Sequence, residues 1–311
     1  MISDLAVVTS YFNPSGYKTK RANFDLFAER IKAAGANLVV AELAFGDTAF
    51  ELPPGDPVVH LRGSGIMWQK ERLLNLAIDR LPQSCRKIVW IDCDVVFENQ
   101  NWLQETANAL EQFVVVQPFS SAIRLGRGHL RRTECDNAVP SFAKVYSLVP
   151  TLARAGPATD HGDTGFAWAA RREFFDHCGL YDVSLTGSGD HLMAHAFVGG
   201  TLHSPCLRWR FQGQRAYAKH FLEWAKKAQE IVGTKVGVVE GDLLHLWHGD
   251  MKDRRYSEVV KEFAAFNFNP QRDLQLDENG LWTWRYASPE LRRWAEEMFR
   301  LRREDGTPSR E

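Results

Sequence analysis

The chain has 311 residues, 44% of them hydrophobic, enough to bury a full core as one large α/β domain or as a domain with an appendage. Its formal net charge of −1 excludes a global basic field for non-specific nucleic-acid binding and the acidic excess of a disordered chain. Five scattered cysteines, with no CxxC pair for zinc or thiol exchange, predict reduced thiols in a cytoplasmic protein.

The opening "MISDLAVVTSYF" enters a strand without the basic flank and long apolar core of a signal peptide, and no apolar run approaches the ~20 residues that span a bilayer. Strand and helix signals then alternate: strand "LAVVTSYF", helix "KRANFDLFAERIKAAG", strands "NLVVAELAF" and "PVVHL", helix "IMWQKERLLNLAIDRL", strand "KIVWIDCDVVF". Short, almost wholly apolar strands between amphipathic helices predict a mostly parallel sheet covered on both faces, whose ligands bind beyond the carboxyl ends of the strands.

Helix "NWLQETANALEQF" and strand "FVVVQPFSSAI" come next, followed by a long irregular stretch over residues 124–163 that reads as a substrate-facing or lid-like segment. Beyond it, "GFAWAARREFFDHCG" predicts strand into helix, "GSGDHLMAHAFVGG" a glycine-rich turn opening a helix, and "RAYAKHFLEWAKKAQEIVG" a long amphipathic helix. The strand "KVGVVEGDLLHLWHG" and a charged helix, "PELRRWAEEMFRLRRED", complete the pattern. There is no internal repeat or low-complexity linker, so one continuous domain is expected.

The chemistry concentrates at Asp92-Cys93-Asp94. On an extended strand residues i and i+2 share a face, so the two carboxylates converge while Cys93 points into packing. Unpaired, they repel and lose solvation, costs relieved by a divalent cation or a shared proton. The alternative is that the strand ends at Ile91 and the acids are solvated turn residues. Their place at the carboxyl end of a central strand favours a phosphate-bound metal.

These residues resemble glycosyltransferases of the GT-A fold, in which an Asp-x-Asp motif at the end of the central strand holds a divalent ion on a nucleotide-sugar diphosphate. "WQKERLLNLAI" is similar to the family's helix before the metal strand, with Lys70, Arg72 and Asn75 at positions facing the nucleotide. "GFAWAARREFFDHCGLYDVSLTGSGDHLMAHAF" is similar to a galactosyltransferase-like acceptor block, and "HLWHG" to the late histidine that completes the metal sphere. The usual "GxGGEDxD" acceptor signature is reduced here to Gly187-Ser188-Gly189-Asp190-His191, one acid short.

The resemblance spans residues 5–249. It implies a Rossmann-like GT-A domain over residues 1–250, with a nucleotide-sugar-binding half at 1–117 and an acceptor half at 118–250, and a helical C-terminal extension at 251–311 packed on it. It implies Asp94 and His248 as metal ligands and Asp92 as a third, water-mediated or ribose-contacting one. A carboxylate and imidazole set suits Mn²⁺ better than Mg²⁺. His245, three residues before His248, is expected to face another side.

Asp190 opens a helix, where capping alone accounts for an Asp; the functional reading is general base for an inverting displacement. Gly187 and Gly189 beside it permit close approach of a substrate. His191 and His195, four apart on that helix, lack the Glu of HExxH and read as helix-surface histidines. Tyr11 and Phe12 end the first strand, as base-stacking or core residues. Lys70 and Arg72 are phosphate partners or solvated charges. Phe166 and Trp168 are a sugar platform or packing. Arg124, Arg127, His129, Arg131 and Arg132 form the densest basic run, a grip for diphosphate or a polyanionic acceptor if it is more than a solvated loop.

The expected function is therefore metal-dependent transfer from a nucleotide sugar, a UDP-sugar in the leading reading, to a glycan or other hydroxyl acceptor. Variants are a phage-type enzyme glycosylating hydroxymethylated bases in DNA, a haloacid-dehalogenase-like phosphatase whose acidic nucleophile motif Asp92-Cys93-Asp94-Val95-Val96 also fits, and a non-catalytic sugar-nucleotide binder.

Overall fold

The computed structural model describes residues 2–200, 202 and 204–306. The elements β1 (Leu5–Phe12), α1 (Lys18–Ala33), β2 (Asn37–Phe45), β3 (Val58–Gly63), α2 (Lys70–Ile78) and β4 (Lys87–Ile91) follow the predicted alternation. Then come β5 (Val95–Phe97), α3 (Trp102–Ala109), β6 (Val115–Gln117), β7 (Ser121–Arg124), β8 (Ala138–Pro140), α4 (Phe142–Leu148) and α5 (Pro150–Ala155). The next elements are β9 (Ala167–Arg171), α6 (Arg172–His177), α7 (Gly189–Phe197), α8 (Pro205–Phe211), α9 (Arg215–Val232), β10 (Val236–Val238) and β11 (Asp242–His245). A 3₁₀ turn (Met251–Arg254), α10 (Tyr256–Ala264), α11 (Pro270–Asp273), β12 (Leu274–Leu276), β13 (Trp282–Trp284) and α12 (Pro289–Leu301) complete the chain.

Seven strands form the central sheet in the order β10-β6-β9-β4-β1-β2-β3. All are parallel except β9, which runs antiparallel between β4 and β6. Alternate residues feed two cores: Ala6, Val8, Ile88 and Trp90 on one face, Leu5, Val7, Val89 and Ile91 on the other. Helices α2, α7 and α9 cover the first face through Leu73, Leu192 and Phe221, and α1 and α3 cover the second through Phe27 and Leu103. The fold is thus α/β, with a mostly parallel central sheet flanked by helices. Each fully buried Val, Leu, Ile or Phe side chain contributes about 1.5–3 kcal/mol, which is why the short strands need apolar residues on both sides.

Three stretches that read as single strands are each cut in two. Residues 87–97 become β4 and β5, residues 113–123 become β6 and β7, and residues 235–249 become β10 and β11. In each case the first half lies in the central sheet and the second in a four-stranded sheet ordered β5-β11-β7-β8. The breaks have local causes: two carboxylates at Asp92 and Asp94, a missing ladder donor at Pro118, and Gly241 at φ +138°, where a Cβ would sit 2.8 Å from that of Asn99.

Two further expectations are corrected. Residues 124–163 are not irregular throughout: they carry β8, α4 and α5, with Ser141 capping α4 by accepting from the Lys144 N–H. The C-terminal region is not only helical, since β12 and β13 pair as an antiparallel hairpin. Among the described residues no helix is long and apolar enough to cross a membrane, and the five cysteines are unpaired.

Candidate functional site

A cavity of about 570 Å³ opens beyond the carboxyl ends of β1 and β4, the position an open α/β sheet reserves for ligands. Lys20, Lys70, Arg124, Arg210, Arg254 and Arg302 line it against the acids Asp92, Asp94, Asp163 and Asp190. The excess of cations suits a polyanionic ligand such as a diphosphate.

Strand β4 stops at Ile91, where the Asp92 N–H donates to the Phe166 carbonyl at 2.7 Å. Asp92 and Asp94 therefore lie on a turn between the two sheets and do not share a strand face. The turn is not solvated: their side chains are 27% and 14% exposed, and Cys93 is packed into the core, where burial pushes its thiol up to about 12. The two acids take different partners.

Asp92 accepts from the Lys70 ammonium at 2.7 Å, and the same ammonium donates to Asp190 at 2.5 Å. Lys70 opens α2 and Asp190 opens α7, so the ion pair ties two helix starts to the Asp92–Asp94 turn. Burial raises the Asp190 carboxyl above its usual range, with Lys70 opposing the shift. Burial alone would lower Lys70, but Asp190 and Asp92 hold it well above its ordinary value, so it stays charged.

Glu71 lies beneath this pair, buried, with Oε1 unpartnered. Burial pushes its carboxyl from 4.5 up to about 8. Between those values the native state keeps a proton that the unfolded chain has released, so stability falls as pH rises through that window. Glu71→Gln removes the titration and should flatten the decline, by up to about 1.4 kcal/mol per pH unit, in urea unfolding between about pH 5 and pH 8. An unaltered slope would mean that the native carboxyl is already ionised.

The second acid, Asp94, meets two histidines. His248 Nε2 lies 3.1 Å from Asp94 Oδ2 and 2.9 Å from His245 Nε2, and His245 Nε2 lies 3.8 Å from Asp94 Oδ1. Burial pushes His245 down to about 3 and His248 to about 4, leaving both imidazoles neutral. Asp94 Oδ1 is buried and has no hydrogen-bond partner. A carboxylate with one orphaned oxygen, set between two neutral imidazoles, is a donor set that fits a divalent ion.

His245 can join His248 because β11 ends at His245 and residues 246–248 lie outside any strand, so strand alternation no longer separates i from i+3. Asp92 stands outside this set, held by Lys70. Around it, Arg254 Nη2 lies 2.6 Å from His248 Nδ1 and 2.7 Å from His248 Nε2, and donates to the His248 carbonyl at 2.8 Å. Its charge is offset by Glu304, which also accepts from Arg302 at 2.7 Å. Burial would raise the Glu304 carboxyl, but Lys20 and Arg302 hold it well below the usual range.

Several predicted residues lie elsewhere. Strand alternation turns Ser10 and Phe12 toward the cavity and Tyr11 away, where its phenol donates to Glu51. Helical spacing sends Lys70 to the cavity but Arg72 to the Gly280 carbonyl and Asp182, and Asn75 to the Leu180 carbonyl. Trp168 is a core residue, 1% exposed, its indole donating to the Thr164 carbonyl. Phe166 does line the cavity, at φ 75°, a conformation costly for a non-glycine residue. Gly189 does not line it: a Cβ there would overlap the Glu71 carboxylate.

The basic run disperses. Arg124 faces the cavity and pairs with Asp163 at 2.8 Å, Arg132 pairs with Asp242, Arg127 stacks on Trp247, and His129 and Arg131 are exposed. His191 and His195 are buried and not on the helix surface. Residues that sequence reasoning missed include Lys20, Arg254 and Arg302, and two exposed aromatics on the rim, Trp209 and Tyr256. None sits in a motif, and their convergence is tertiary.

No protein-family model and no curated protein matches the chain. Among solved structures, the catalytic domain of Drosophila β1,4-galactosyltransferase 7 in complex with xylobiose matches 94% of this chain and 98% of its own, at 11% identity and a TM-score of 0.43. A point mutant of that enzyme with manganese, UDP-Gal and xylobiose matches 61% of this chain and 59% of its own, at 13% identity and a TM-score of 0.33. A Bacillus anthracis protein described as a glucose-1-phosphate thymidylyltransferase matches 88% and 98%, at 8% identity and a TM-score of 0.37. Similarity at this level says nothing about a substrate.

Proposed function

We propose that the chain is a metal-dependent glycosyltransferase that moves a sugar from a nucleotide diphosphate donor to a hydroxyl acceptor. The observation that carries the reading is the meeting of Asp94, His245 and His248 at the wall of a cation-lined cavity, with the unpartnered Asp94 Oδ1 toward His245 and Oδ2 toward His248. A divalent ion held there would supply Lewis-acid neutralisation of the departing diphosphate. Lys20, Arg254 and Arg302 add fixed positive charge beside it.

Asp190 accepts the proton of the attacking hydroxyl, the role an inverting displacement requires. Lys70 keeps it ionised until the acceptor arrives, and Asp92 holds Lys70 in place. Trp209 and Tyr256 present the aromatic surface for the acceptor sugar that Trp168 does not. UDP as the nucleotide rests on the sequence resemblance.

The test is UDP release from a panel of UDP-sugars by the purified chain, with Mn²⁺ and then with EDTA. Metal-dependent release that EDTA abolishes and re-added Mn²⁺ restores is the expected result. Metal-dependent nucleotide binding with no turnover on any sugar nucleotide, with glycan acceptors supplied, would overturn the catalytic reading.

A further inference from the structure

Beside the cavity, His161, His191, His195 and Cys206 bring four ligand atoms within 4.8 Å of one another, and all four residues are buried. Helix α7 supplies His191 and His195 one turn apart on a single face, the segment before β9 supplies His161, and the first turn of α8 supplies Cys206. The ring centroids are mutually 4.7–5.2 Å apart, yet no hydrogen bond joins the rings among the described contacts.

The nitrogen atoms are what need explaining. His161 Nδ1 lies 2.8 Å from the Gly162 carbonyl, so that nitrogen carries the proton, and Nε2, lone pair outward, has no partner. His195 is fully buried, and neither of its nitrogens has a partner. A buried polar atom left unpaired costs about 1–3 kcal/mol, and aromatic packing against Phe142 would be served as well by residues without such atoms.

We propose that these four residues form a zinc centre of the His₃Cys type, separate from the Asp94 cluster. Zinc takes nitrogen at about 2.0–2.1 Å and thiolate sulfur at about 2.3 Å in a tetrahedron, so the ligand atoms need only draw in by small rotamer adjustments. The softer thiolate and the lack of a carboxylate select zinc over the Mn²⁺ or Mg²⁺ suited to the other site. Burial holds all three imidazoles below their ordinary pKa, hence neutral and able to ligate. Cys206, whose Sγ donates to the Gly156 carbonyl at 3.2 Å, would lose its proton to the solvent on binding, and its thiolate offsets the buried Arg210 guanidinium nearby.

No part of this depends on the transferase reading. The centre would cross-link the segment before β9, the start of α8 and α7, the helix that presents Asp190, and so hold one wall of the cavity in place.

The test is metal analysis of the purified full chain after dialysis against EDTA, together with the visible spectrum of the Co²⁺-substituted protein. One zinc per chain should survive dialysis, and the cobalt form should show tetrahedral bands and a thiolate-to-cobalt charge-transfer band. Cys206→Ser should lose that band and the retained zinc, while Asp94→Ala keeps both. Absence of retained zinc together with absence of the charge-transfer band in the wild-type chain would overturn the proposal, as would zinc lost in Asp94→Ala and kept in Cys206→Ser. If Cys206→Ser does not fold, the wild-type cobalt spectrum and the Asp94→Ala stoichiometry still decide.

Discussion

Asp94→Ala is expected to abolish metal-dependent donor cleavage and to weaken Mn²⁺ binding by more than the roughly 10–100-fold typical of losing an outer partner of a metal ligand. Among the described residues Asp94 is the only carboxylate in its cluster and faces both imidazoles, so its removal takes away the negative charge that would hold a hard divalent ion. His245→Ala should weaken the ion as well. Asp92→Ala should leave Mn²⁺ affinity nearly unchanged, because the Asp92 carboxylate is committed to Lys70. Mn²⁺ titration followed by electron paramagnetic resonance separates the three variants. A loss in Asp92→Ala equal to that in Asp94→Ala, with His245→Ala unaffected, would return the ion to the Asp92 and Asp94 pair.

Asp190→Asn is expected to lower kcat for transfer by about 10²–10⁴-fold while leaving donor binding nearly intact. The amide keeps the shape of the carboxyl and cannot take a proton. Its competing role is electrostatic, since Asp190 holds the Lys70 ammonium at 2.5 Å. If it only anchors Lys70, the variant should raise KM for the donor and spare kcat, because Lys70 would move from its place beside Asp92. Loss of kcat with KM unchanged supports the base; retention of anomeric configuration in the product would defeat it.

Much of the scaffold was legible because its signals are local. The run "LAVVTSYF" is buried along its length as β1, and Lys70, Asp92, Asp94 and Asp190 all reach the cavity. What misled was periodicity carried too far: Asp92 and Asp94 read as strand neighbours because "KIVWIDCDVVF" is apolar on both sides, and the same extension set His245 against His248. Tyr11, Arg72 and Asn75 failed for the reverse reason, since neighbours on a strand or helix point in different directions even when one of them reaches the ligand.

By itself the sequence determined the α/β alternation, the two-faced apolar strands and the place where charge interrupts them, because these follow from residue type and near-neighbour spacing. Only the tertiary structure decided that three strands cross from one sheet to another, that Asp92 goes to Lys70 while Asp94 goes to His245 and His248, and that His161 and Cys206 meet α7. Those pairings join residues tens to hundreds of positions apart. Their partners are chosen by packing and by the cost of leaving a buried charge or lone pair unmatched, which no local pattern records.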